Sequence, residues 1–199
     1  MTTQTKTQRL TAEEFFDWLQ RPENRNRLFE LDRGEIVEMS RPGERHCVIC
    51  SNGGFILNLY ARKRQSGYVL SNDPGIIVER GPDTVRRPDL VFFDGVRTYA
   101  ALNPKFAEGT PILAIEVLSP TDRIGKVMRR INQLLRSGIQ IVWLIDPEAR
   151  DVTVFRSGHE PYSVSESEAL TGDDVLPDFR CRVADFFFMP GSEAPPAQP

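Results

Sequence analysis

Long apolar runs are missing from this 199-residue chain. No stretch approaches the roughly 18 consecutive apolar residues of a transmembrane helix, which excludes a helical membrane span. The opening segment, MTTQTKTQRL, lacks the apolar core of a signal peptide. Cysteine is scarce: three residues, an odd number without dense spacing, do not make a disulfide scaffold and fit a reduced, cytoplasmic protein. Two histidines leave little material for a catalytic triad. There is no P-loop, no dinucleotide-binding glycine fingerprint and no G-x-S-x-G elbow. An excess of positive charge is also absent. The formal net charge of −3 argues against strong non-specific affinity for nucleic acid but leaves room for a local basic patch.

What is present reads as one α+β domain over residues 11–188, with a mixed central β-sheet flanked by helices in an α/β-like core. Residues 1–10 read as a flexible N-terminus, and residues 189–199, small, polar and Pro-rich, as a disordered tail. Thr11, with Glu14 three residues on, forms a capping box before a short helix. RLFELDRGEIVEMS predicts a hairpin turning on the three-residue loop Asp32-Arg33-Gly34. Glu44 to Arg64 fits a helix in which Gly53-Gly54 is either a weakness or a mark of close packing. GYVLS, GIIVER and DLVFFD read as strands, and Leu102 to Gly109 as a loop or short helical turn. ILAIEVLS, apolar on both faces, reads as a central strand. The following helix, Asp122 to Ser137, carries Ile124, Val127, Ile131 and Leu134 on one stripe and stops at Ser137-Gly138. IVWLID and VTVFR follow as strands, so ILAIEVLS, helix and IVWLID form a crossover that makes the two strands parallel.

Two acids sit in unusual places. Asp89 follows Arg87-Pro88 at the start of an apolar strand, and Glu116 lies inside the next strong strand. A lone buried carboxylate costs several kcal/mol, so each needs a partner. If the strands are neighbours, both acids can converge on one divalent cation such as Mg²⁺, which activates water and offsets phosphoryl charge. The alternative is that Asp89 caps a turn and Glu116 pairs with a buried arginine. Cys47 and Cys50, three apart on a helix, read as packing residues.

RPDLVFF, IEVLSPTDR, the helix and SGIQIVWLIDPEAR, preceded by FELDRGEIVEMSRPGERH, resemble the Uma-two family within the PD-(D/E)XK restriction-endonuclease-like superfamily. The resemblance spans about residues 10 to 188 and implies a restriction-endonuclease-like fold. It further implies an endonuclease that hydrolyses DNA phosphodiester bonds with Mg²⁺ (or Mn²⁺). Asp89 and Glu116 match the metal-binding positions. The superfamily lysine does not match: two residues after Glu116 stands Leu118. In similar members the lysine lies on the next helix, at the position held here by Arg130. Arginine keeps the charge but cannot serve readily as a base. Lys126, one turn earlier, is the stand-in; at about 100° per residue it projects further toward solvent than Arg130. Arg123 could join a basic rim for phosphates.

Glu30 and Glu35 match acidic positions of the family's hairpin, where Glu35 in particular could complete the metal shell; surface acids of an edge strand are the alternative. His46 matches the family's histidine, and could contact phosphate, support the metal ligands, or simply cap a helix. Three functions follow as expectations: a working DNA endonuclease, a degenerate nuclease fold that binds nucleic acid or protein without cleavage, and a structural subunit with a buried Glu116–Arg130 pair. Superfamily members that cut both strands are often dimers, which makes a homodimer one assembly open to this chain.

Overall fold

The computed structural model describes residues 9–191, so the expected flexible N-terminus and disordered tail fall largely outside the described residues. Leu10 already belongs to the fold, its N–H donating to the Gly34 carbonyl (2.9 Å). In chain order the elements are α1 (Ala12–Leu19), β1 (Leu28–Asp32), β2 (Glu35–Met39), α2 (Glu44–Arg64) and β3 (Tyr68–Ser71). β4 (Ile76–Glu79), β5 (Thr84–Arg86), β6 (Leu90–Phe93), β7 (Leu113–Val117) and α3 (Ile124–Arg136) follow. The chain continues with β8 (Ile141–Asp146), β9 (Asp151–Arg156), β10 (Tyr162–Ser165), β11 (Ala169–Gly172) and β12 (Leu176–Arg182).

The main sheet has six strands in the order β10-β9-β8-β7-β6-β3 and is mixed, as expected: β7 and β8 run parallel across the α3 crossover, and the other pairs are antiparallel. The hairpin does not join it. β1 and β2 belong to a separate antiparallel sheet, β2-β1-β5-β4, and a third small sheet pairs β11 with β12. The hairpin loop is also shorter than expected. Asp32 pairs with Glu35, leaving Arg33 and Gly34, both at positive φ, as a two-residue turn. β5, β10 and β11 went unread in the sequence because they are short, and β12 because polar residues interrupt it.

Both faces of the main sheet are covered, which is why β7 is buried along its whole length. On one face Ile49, Leu57 and Tyr60 of α2 pack with Leu113, Ile115 and Trp143. On the other, Val127, Ile131 and Leu134 of α3 pack with Val91, Ala114 and Val142. Gly53 is explained by this packing: a Cβ there would come within 2.9 Å of Leu90 Cδ1 and 3.3 Å of the Phe186 ring. Gly53→Val is therefore expected to overpack the α2–β6 contact and destabilise the protein by about 1–3 kcal/mol, read by thermal unfolding. Among the described residues no helix is long and apolar enough to cross a membrane.

The topology gathers the chemistry at one end of the sheet. Leu90 pairs antiparallel with Ile115, so Asp89, one residue before β6, stands opposite Glu116 near the end of β7. The first turn of α2, the segment before α3 with Arg130 from the middle of that helix, and the end of β2 surround the same spot.

Candidate metal centre and phosphate groove

A cavity of about 60 Å³, room for an ion with a few waters, lies at this end of the sheet. Its walls include Asp89, Glu116, His46, Asp73, Asp122 and Arg130. Asp89 is tightly held: its Oδ2 accepts from the Val117 N–H (2.7 Å), and its Oδ1 lies 3.1 Å from His46 Nε2. Burial works against charge on the His46 ring, but the Asp89 carboxylate, with Asp73 and Glu116 behind it, prevails and holds the ring above its ordinary pKa. On the other side of the ring, Nδ1 lies 3.4 Å from Cys50 Sγ, whose thiol is pushed up by burial. His46, Cys50 and Asp89 thus offer ligand atoms all within 4.8 Å of one another. Cys50 packs, as expected, but next to the site, whereas Cys47 is exposed and does not pack.

Glu116 is 4% exposed. Its Oε2 accepts from Arg130 Nη1 (2.9 Å), while its Oε1 is buried with no hydrogen-bond partner. Burial is the largest influence on this carboxyl; Arg130 opposes it, and Asp89 and Glu30 reinforce it, so the group is pushed up to about 8. Arg130 is held above the ordinary arginine range chiefly by Glu116. An acid with one orphaned oxygen and two acidic neighbours is under-compensated. A divalent cation would supply the missing charge, and carboxylate oxygens such as those of Glu116 and Asp89 suit Mg²⁺ or Mn²⁺; the ligand atoms gathered within 4.8 Å among the described residues are those of His46, Cys50 and Asp89, and Glu116 is not one of that group.

The helical geometry of α3 separates the two candidate cations as expected. Arg130 reaches Glu116 across the cavity, whereas Lys126 stays on the exposed side of the helix. Lys126 and Arg123 make no ion pair among the described residues. Both line a neighbouring groove of about 420 Å³ between α3 and the hairpin, with Arg129, Arg130, Glu30 and Asp32.

The two hairpin acids part ways. Glu30, 1% exposed, is committed to arginines: Oε2 accepts from Arg86 Nη1 (2.8 Å), Oε1 from the Arg87 N–H (3.0 Å), and Arg130 Nε lies 3.8 Å away. It braces the site and is not among the walls of the cavity. Glu35 sits beside the hairpin turn, exposed and outside the cavity walls. The cavity is lined instead by Met39, four residues further along β2.

Sequence reading missed Asp73. It lies in the turn after β3 at φ +54, following Asn72 at φ +66, and its carbonyl accepts from Arg87 Nε (2.9 Å). Burial and the charge of Asp89 raise its pKa. The signal was the Asn-Asp pair before Pro74-Gly75, residue types that tolerate left-handed backbone. It reads as a turn, and nothing local says that the turn folds back over Asp89.

A mixed sheet clasped between two helices, with acids on facing residues of adjacent central strands, defines an α+β protein with a candidate metal site at one end of its sheet. The sequence matches the Uma2 family, described as "Putative restriction endonuclease", over residues 12–184, and the chain belongs to that family. No curated protein matches it. Among solved structures it is similar to a "putative nuclease belonging to DUF820" from Anabaena variabilis ATCC 29413. That similarity has a TM-score of 0.70 at 22% identity and covers 89% of this chain and 97% of the other.

Proposed function

We propose that this protein is a divalent-metal-dependent endonuclease acting on DNA, with Asp89 and Glu116 as metal ligands. The observation that carries the reading is the orphaned, buried Oε1 of Glu116, in a cavity that also holds Asp89 and His46. When bound, Mg²⁺ or Mn²⁺ activates water and offsets charge on the scissile phosphoryl group. The chain's own residues do the rest. The Val117 N–H fixes the Asp89 carboxylate, and His46 orients its other oxygen or joins the ligands. Arg130, braced by Glu30, stands ready to stabilise the added negative charge on the phosphate. Arg123 and Lys126 line the adjoining groove as contacts for the DNA backbone. The test is cleavage of supercoiled plasmid and of branched DNA with and without Mg²⁺ or Mn²⁺. Absence of cleavage with either ion would remove the reading.

A second reading draws support from one contact. Arg130 already occupies Glu116 Oε2 at 2.9 Å, so an ion must compete with a guanidinium for that oxygen. A degenerate nuclease that binds DNA without cutting would show this arrangement. Arg130→Lys separates the two. For a working enzyme, cleavage by Arg130→Lys is expected to stay within about tenfold of wild type, because one cation replaces another at a phosphate contact. Cleavage that emerges only in Arg130→Lys would identify a retired nuclease.

A further inference from the structure

A second, larger recess of about 510 Å³ adjoins the carboxylate cavity and shares His46, Ser119 and Asp122 with it. It opens at the C-terminal ends of the parallel strands β7 and β8, the end of such a unit where ligands commonly bind. Leu118, Pro120, Ile124 and Pro147 give it an apolar wall, beside four carboxylates and Arg45. Ile124, the first residue of α3, is 66% exposed there, an unusual place for a large aliphatic side chain with no packing role. Its size falls in the range of small-molecule sites.

The neighbours narrow the occupant. Arg123 and Lys126, without ion-pair partners among the described residues, flank Ile124 on the side toward the groove. The orphaned Glu116 oxygen marks a cation site on the other side of Ser119 and Asp122. A recess with an apolar wall, next to a cation site and to basic side chains without ion-pair partners, suits a ligand that joins a flat ring to a phosphate, which is a nucleotide. A base in continuous duplex is stacked and paired, and offers only its edge. Only an unpaired base could enter the recess.

We infer that this recess is a nucleobase subsite, which makes DNA with an unpaired nucleotide beside the scissile phosphate the preferred substrate over continuous duplex. The inference rests on the nuclease reading for its orientation, but its test does not depend on cleavage. Full-length protein is titrated onto a labelled single-stranded oligodeoxynucleotide and onto the matching duplex, with Ca²⁺ as a hard divalent ion. Wild type is expected to bind the single strand more tightly. Ile124→Ser removes the exposed apolar wall, and its unchanged melting temperature verifies the fold. It is expected to weaken single-strand binding by about fivefold, the loss of one aliphatic contact with a base face, and leave duplex binding within about twofold. Arg123→Ala, a phosphate contact, is expected to weaken both forms alike. No binding of either form, no preference for the single strand, or an equal effect of Ile124→Ser on both forms overturns the subsite. The two readings fail separately. Discrimination by Ile124 without cleavage in any metal removes the catalytic reading alone; cleavage of strand and duplex at equal rates, untouched by Ile124→Ser, removes the subsite alone.

Discussion

Glu116→Gln is expected to abolish metal-dependent cleavage of DNA while leaving the folded protein at least as stable as wild type. Changes to groups that merely support metal ligands already cost about 10–100-fold in metal affinity or activity, and a direct ligand should cost more than about a hundredfold. The stability half of the result comes from the carboxyl's burial. With its acid pushed up to about 8, Glu116 holds a proton at neutral pH in the metal-free protein for much of the time. A neutral amide of the same shape then loses little and still accepts from Arg130. A purely structural Glu116–Arg130 ion pair predicts the reverse, a large stability loss with no effect on any metal-dependent step.

The pH dependence sharpens the same experiment. In the unfolded chain Glu116 titrates near its ordinary value of 4.5, and in the folded protein near 8. Below pH 4.5 both states are protonated. Between these values the folded state keeps a proton that the unfolded chain has released, so stability falls as pH rises and levels off above about 8. In EDTA, this group should lower the stability of wild type by an amount on the order of a few kcal/mol across that window, and Glu116→Gln should flatten the slope. Denaturant unfolding at several pH values measures it. Parallel curves for wild type and variant would show that the carboxyl is not held protonated.

The largest loss of stability is expected from Arg86→Met. Arg86 is buried and supports Glu30 (2.8 Å), Asp32 (3.2 Å) and Gln133 (3.0 Å) at once, tying the hairpin sheet to α3. Its removal leaves Glu30 buried with one backbone N–H and the more distant Arg130. Breaking a buried pair from one side costs about 3–5 kcal/mol, a drop in melting temperature of roughly 10 °C for a chain of this size. Glu30→Gln combined with Arg86→Met should recover much of that loss, because no unpaired charge remains. A single variant that melts with wild type would show that the arginine network adds little to the fold. Cleavage is expected to fall as well, since Glu30 braces Arg130.

The elements around the site were legible in the sequence for local reasons. Thr11 and Glu14 form the expected capping box, α2 spans the expected residues, and α3 ends where Ser137 and Gly138 stop it. A two-faced apolar strand, an amphipathic helix and a second apolar strand in succession make a crossover the expected connection, and β7 and β8 are parallel. A carboxylate inside such a strand stands out on its own, because nothing local can pay for its burial. Contacts between distant segments were not legible. That Glu30 belongs to arginines rather than to the cavity follows from β1 pairing with β5, which carries Arg86. Asp73 joins the site because a left-handed turn folds back beside Arg87. Glu35 is left outside because a two-residue turn places it at the far end of the hairpin. Secondary structure and the oddity of Glu116 are properties of neighbouring residues, so the sequence by itself determined them. Which charges meet depends on strand pairing across tens of residues, and only the tertiary structure decided that.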